Sequence, residues 1–145
     1  GAGGVDAYLA DETSKPIDYI DPKYDGVINS FKSRSTVTIK WNDADSNELK
    51  LEKIITQKWI AGFFNPNEPW ADFRRTGYPK LPTVYQNSSS SDWGIIPTGE
   101  WIKRMPFVNA ERTGNAAGIA DATTKLGGPD NIATRLWFAP DKANF

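Results

Sequence analysis

The sequence predicts a mainly α-helical fold with irregular loops and short β-hairpins. Three observations predict it. Apolar residues recur at intervals of three and four from Ser46 to Phe64, a shorter segment from Asn67 to Gly77 carries helix start and stop residues, and much of the rest is broken by 12 Gly and 10 Pro in 145 residues.

In chain order, Gly1 to Ser35 is interrupted by Gly3, Gly4, Pro16, Pro22 and Gly26, so it reads as extended, turn-rich chain with one helical turn at Ala7-Tyr8-Leu9. Asp18 to Pro22 and Tyr24-Asp25-Gly26 read as turns closed by Asp side chains. Ser35 to Trp41 alternates, with Val37, Ile39 and Trp41 on one side and Thr36, Thr38 and Lys40 on the other, the pattern of a half-buried strand. Asn42 to Asp45 ends it, and Asp45 with Glu48 is positioned to cap the long helix that follows. Leu51, Ile54, Ile55, Trp59 and Phe63 form that helix's apolar stripe, read as core.

Asn65-Pro66 stops the long helix. Asn67, Glu68 and Pro69 open a second one, which carries Trp70, Phe73, Arg74 and Arg75 and ends at Gly77. Pro79 and Pro82 keep Tyr78 to Tyr85 extended, Asn87 to Asp92 is a polar loop, and Trp93 to Phe107 reads as a loose hairpin. A last helix is expected from Asn115 to Leu126, ended by Gly127-Gly128.

Composition narrows the chemistry. With no Cys and no His, thiol and Ser-His-Asp catalysis and ordinary zinc sites are excluded within this chain. A net charge of −1 without a block of like charge argues against nucleic-acid binding. No stretch of about 20 apolar residues is present to span a membrane as a helix. Six Trp, five Tyr and seven Phe supply rings suited to cores and to wet binding surfaces alike.

Several motifs stand in order along the chain. Lys53-Ile54-Ile55-Thr56-Gln57-Lys58-Trp59-Ile60-Ala61 is followed by Trp70-Ala71-Asp72-Phe73-Arg74-Arg75-Thr76-Gly77-Tyr78-Pro79, then Arg104-Met105-Pro106-Phe107, Leu126-Gly127-Gly128-Pro129-Asp130 and Leu136-Trp137. Together they resemble the SusD/RagB family of outer-membrane nutrient-binding lipoproteins. Phe107-Val108 and Trp137-Phe138-Ala139 depart from the family's usual residues. The resemblance implies the carboxy-terminal portion of the SusD-like, tetratricopeptide-related α-α fold, with residues 1–145 as one segment lacking the amino-terminal helical repeats, signal peptide and lipidated Cys. It implies a non-catalytic glycan-binding protein at the cell surface, lipid-anchored in its full length, that hands oligosaccharides to a SusC-like TonB-dependent transporter. No cofactor or metal is implied. It further predicts an exposed apolar face where the helical half would pack.

Within this reading Gln57, Lys58, Trp59, Trp70, Arg74, Arg75 and Tyr78 are structural motif residues. Arg74 and Arg75 are suited to clamping an anion, but a ring stack and an internal ion pair are the favoured reading. Glu68 and Asp72 lie four apart and could in principle act as a glycosidase pair, yet helix capping and pairing with Arg74 or Arg75 is favoured. Trp93 is the first choice for a sugar contact, followed by Tyr85 and Trp41, because two of these rings flank a polar loop. Asp121, Asp130 and Asn131 match no trusted metal-binding spacing. Two alternatives stand beside glycan capture: a segment that only docks on the transporter or the amino-terminal half, and, more remotely, a carboxylate-based glycoside hydrolase.

Overall fold

The computed structural model describes residues 3–23, 30–84, 86–139 and 143–145. The turn expected at Tyr24-Asp25-Gly26 and the candidate contact Tyr85 lie outside them. The chain forms two compact units, one of Gly1–Pro82 with Pro140–Phe145 and one of Thr83–Ala139. Among the described residues, regular structure is helical apart from an isolated antiparallel bridge between Tyr19 and Phe31, whose rings stack at 5.4 Å. The short hairpins expected at the sequence level are not formed there.

The first unit holds α1 (Gly3–Leu9), α2 (Asn47–Ala61) and α3 (Asn67–Thr76). Ser46, rather than Asp45, caps α2 by accepting from the Leu49 N–H. Asp45 instead pairs with Lys53 at 2.8 Å, and Glu48 accepts from the Tyr78 hydroxyl at 2.8 Å. The apolar stripe of α2 is only partly core. Ile55 is 3% exposed, but Ile54 is exposed and Phe63 is 80% exposed. The reason is that Glu48, Glu52, Ile55 and Trp59, spaced four, three and four, lie along one face, and that face holds charges as well as carbon. Glu52 is buried because Ser35 donates to one carboxylate oxygen at 2.6 Å and Lys80 meets the other at 2.8 Å. Lys53 is buried because it donates to the Lys40 carbonyl as well as to Asp45. Paired charges tolerate burial that single ones do not. Ile54, Ile60, Phe63 and Phe64 remain in the open.

The motif residues knit α2 to its surroundings. Gln57 accepts from the Tyr8 hydroxyl of α1 at 2.7 Å. Trp59 meets Phe73 of α3 edge-to-face at 6.4 Å, and Lys58 reaches Asp72 at 2.6 Å. Asp72 also holds Arg75 at 2.9 Å, while the Arg74 guanidinium lies 3.7 Å from the centre of the Trp70 ring. The two helices approach closely at Gly62, where a methyl group would sit 2.4 Å from Pro69 Cγ. Helix α3 ends at Gly77 in the left-handed region, as its sequence predicts.

The strand expected at Ser35 to Trp41 is not formed: Ile39 and Lys40 lie in a bend and the rest carries no regular structure. Ser35 and Val37 are buried and Thr36 between them is exposed, but Ile39 is no more buried than Thr38 and Trp41 is 47% exposed, so the expected alternation ends at Val37. No neighbouring strand meets it among the described residues, which is why period-two burial does not become a ladder.

The second unit holds α4 (Asn109–Gly114) and α5 (Ala116–Leu126), which pack on each other. Asn115 caps α5 by accepting from the Gly118 N–H at 3.1 Å, and Gly127 ends it in the left-handed region. Helix α4 was not expected: six residues give no readable apolar period.

Candidate ligand-binding site

In the second unit the polar loop from Asn87 is tied down by its own side chains. Asn87 donates to the Ile96 carbonyl at 3.2 Å and accepts from the Ser89 N–H at 3.0 Å and from the Ser89 hydroxyl. The Ser89 hydroxyl in turn accepts from the Ile96 N–H at 3.0 Å. Ile96 is thereby buried beneath a loop made of polar residues. Beyond it, the Trp93 N–H donates to Ser90, the Ile132 N–H to Trp93 at 2.7 Å, and the Lys103 N–H to Ile132 at 2.8 Å. These bonds join three chain segments without forming a sheet. Gly94 makes the approach possible: its φ is 98°, and a Cβ there would stand 2.7 Å from the Asn131 side chain.

This stitching leaves an open groove of about 600 Å³ bordered by Trp93, Trp101, Ile102, Met105 and Ile132. Trp93 is 43% exposed. Arg112 lies over its ring, with the guanidinium carbon 5.4 Å from the centre. Asp130 anchors that guanidinium at 2.7 Å and holds Arg104 at 2.6 Å on its other oxygen. Burial raises the Asp130 carboxyl, but Arg104, the Phe107 N–H and Arg112 outweigh it and keep the group below the ordinary carboxylate value. Asp130 is therefore an ionised strut, and both its oxygens face arginines rather than a metal. Among the described residues no cluster of three or more acidic groups is arranged to hold a metal ion. Glu100 borders the groove and is lowered by its hydrogen bond with Lys103 at 2.7 Å.

Trp41 belongs to the first unit and lines a different depression of about 510 Å³ with Thr36, Thr38, Asn42 and Asp45. Its ring N–H donates to Asp43 at 2.8 Å, and Lys50 lies 5.9 Å from its ring centre. Trp93 and Trp41 are thus in separate units. Two residues in or beside the groove escaped the sequence reading. Trp101 is one, and its signal was the Pro97-Thr98-Gly99 turn between two tryptophans, which brings the chain back on itself. Arg112 is the other, and it had no sequence signal because its partners lie 18 and 19 residues away.

Comparison with known proteins agrees with the motifs. The SusD-like family, described as Susd and RagB outer membrane lipoprotein, matches residues 1–139. A chitin-binding SusD homologue from Flavobacterium johnsoniae is 45% identical over 100% of this chain and 28% of its own, with a TM-score of 0.85. A SusD homologue from Bacteroides uniformis is 47% identical over 95% of this chain and 28% of its own, with a TM-score of 0.84. A further similarity, 24% identity over 119 residues, is to the DNA mismatch repair protein MutS of Clostridium beijerinckii, of which the chain spans 13%. The chain thus spans well under a third of each of these proteins. The SusD similarities are higher in identity and reach along the whole chain, so the chain belongs to the SusD-like family of outer-membrane, cell-surface lipoproteins.

Proposed function

We propose that this protein captures glycans at the outer-membrane surface without breaking a bond, and that the groove beside Trp93 supplies sugar contacts. The chain is then the carboxy-terminal segment of a longer protein, anchored by a lipid elsewhere in its length, whose captured oligosaccharide passes to a SusC-like TonB-dependent transporter. The observation that carries the reading is the presence of two indoles, Trp93 and Trp101, on one open groove. The carbon–hydrogen faces of sugars stack on such rings while the polar edges stay wet. The likeness to a chitin-binding homologue over the entire chain supports a glycan as the ligand class.

A carboxylate-based hydrolase has less support. Glu68 and Asp72 both face Lys58, at 3.6 and 2.6 Å. Burial raises the Asp72 carboxyl, yet Lys58 and Arg75 hold it below its ordinary value, the wrong direction for a proton donor at neutral pH. Calorimetric titration of an oligosaccharide panel into the full-length protein and its Trp93→Ala variant tests the reading. A loss of about tenfold is expected, on the scale of one stacking ring. Unchanged affinity removes Trp93 as a contact. Reducing sugar released above a boiled control contradicts the non-catalytic part.

A second reading, that this segment docks on the transporter or on the amino-terminal half, draws on the exposed Ile54, Ile60, Phe63 and Phe64. The two readings use different units, and a segment that only docks contacts no sugar, so an affinity unchanged in Trp93→Ala favours it.

A further inference from the structure

We infer that the first unit carries a second sugar site, built on Trp41, for neutral, hydroxyl-rich glycans. The inference rests on the protein being a glycan binder, and not on the Trp93 groove being where it binds.

The Trp41 ring is fixed and yet open. Its N–H donates to the Asp43 carboxylate at 2.8 Å, and Lys50, which donates to the Asp43 carbonyl at 2.7 Å, stands over it. With 47% of the residue exposed, the indole offers a platform that is already oriented. It lines a depression of about 510 Å³, an ordinary volume for a small-ligand site. Among the described residues the Thr36 and Thr38 hydroxyls, which also line it, meet no protein partner. Asn42 engages its oxygen with the Ala44 N–H at 3.0 Å, and its amide nitrogen stays unused. Each threonine hydroxyl both donates and accepts. A ring bordered by unused donors and acceptors matches a pyranose, whose carbon–hydrogen face is apolar and whose rim is hydroxyl.

The charges at the same depression select against ions. Glu12 pairs with Lys40, and Asp45 pairs with Lys53 at 2.8 Å with both side chains largely buried, so the charged lining cancels. A uronate or an amino sugar would bring a charge that finds its counter-ions already taken.

Calorimetric titration of four hexamers into the full-length protein tests this: α-1,4-glucose, β-1,4-glucose, β-1,4-N-acetylglucosamine and α-1,4-galacturonate. In the Trp93→Ala background a neutral hexamer should still bind, and adding Trp41→Ala should lower that residual affinity about tenfold. Trp41→Phe should retain most of it, because a ring remains. Thr36→Val with Thr38→Val should cost about fivefold, with shape preserved and the melting temperature unmoved. Galacturonate should bind most weakly. Binding abolished by Trp93→Ala alone, or residual binding indifferent to Trp41→Ala, overturns the second site and leaves the Trp93 groove standing. Galacturonate bound at Trp41 as tightly as the neutral hexamers overturns the selection for uncharged sugars. No binding of any hexamer to the unsubstituted protein overturns the glycan reading and this inference together.

Discussion

Arg112 holds its guanidinium carbon 5.4 Å from the centre of the Trp93 ring while its Nη2 donates to Asp130 at 2.7 Å. Its Nε donates to the Phe107 carbonyl at 3.1 Å, so the cation is oriented by acceptors on two sides before it meets the indole. The ring that borders the groove is therefore positioned by a residue placed after Phe107, and that residue is positioned by one placed after Gly128.

Replacing Arg112 with Ala should loosen Trp93 and weaken glycan affinity by roughly fivefold, the scale of a cation–ring contact of about 1 kcal/mol. Arg112→Lys should recover part of it, since a point charge keeps the attraction but loses the fork. Titration calorimetry with the preferred oligomer reads both. Equal affinities in all three proteins would refute the positioning role.

Asp130→Asn removes the charge between two arginines, with a carboxylate side chain only 10% exposed. Breaking a buried pair from one side costs about 3 kcal/mol, read from the urea midpoint at pH 7. The group also sets an acid limit. Its folded value lies below the ordinary 3.8, so its stabilisation is complete above 3.8 and is lost as the pH falls through the folded value. The Asn variant should lack that part of the acid slope.

Tyr78 sets the opposite limit. Burial first, then its hydrogen bond to Glu48, pushes the phenol from 10.0 up to about 12. A raised value stabilises the fold below 10 and loses that contribution as the pH rises to 12. Tyr78→Phe should lower stability at pH 8 and show a shallower alkaline decline in thermal melts taken from pH 9 to 12.

Gly62→Ala should cost about 1–3 kcal/mol, because the added methyl meets a proline ring and not a flexible side-chain tip. Chemical denaturation measures it. A neutral result would mean that α2 and α3 separate more easily than their ion pairs suggest.

The isolated 145-residue chain should bind the hydrophobic dye ANS through the exposed Ile54, Ile60, Phe63 and Phe64. Phe63→Ser with Phe64→Ser should cut the fluorescence by about half or more while leaving the melting temperature within a few degrees, since neither ring is buried.

Helices with caps and left-handed ends were legible in the sequence: α3 stops at Gly77 and α5 starts at Asn115 because those residues act through local geometry alone. Burial on α2 was not. Its apolar spacing marked Ile54 and Phe63 as core, whereas the packed face depends on Ser35 and Lys80 reaching Glu52 from 17 residues before and 28 after, pairings no periodicity encodes. The groove divides in the same way. An aromatic beside a polar loop pointed to Trp93 and a turn after it was the sign of Trp101, while Arg112 became visible only through its long-range contacts with Asp130 and Trp93.

The Asn87–Ser89–Ile96 bonds have a thermodynamic meaning for recognition. A serine-rich loop left to itself would lose freedom whenever a guest arrived, and that ordering would subtract from affinity. Here the ordering accompanies folding, so the rim meets its guest already shaped, and association should proceed with a small entropic penalty and little rearrangement of the backbone.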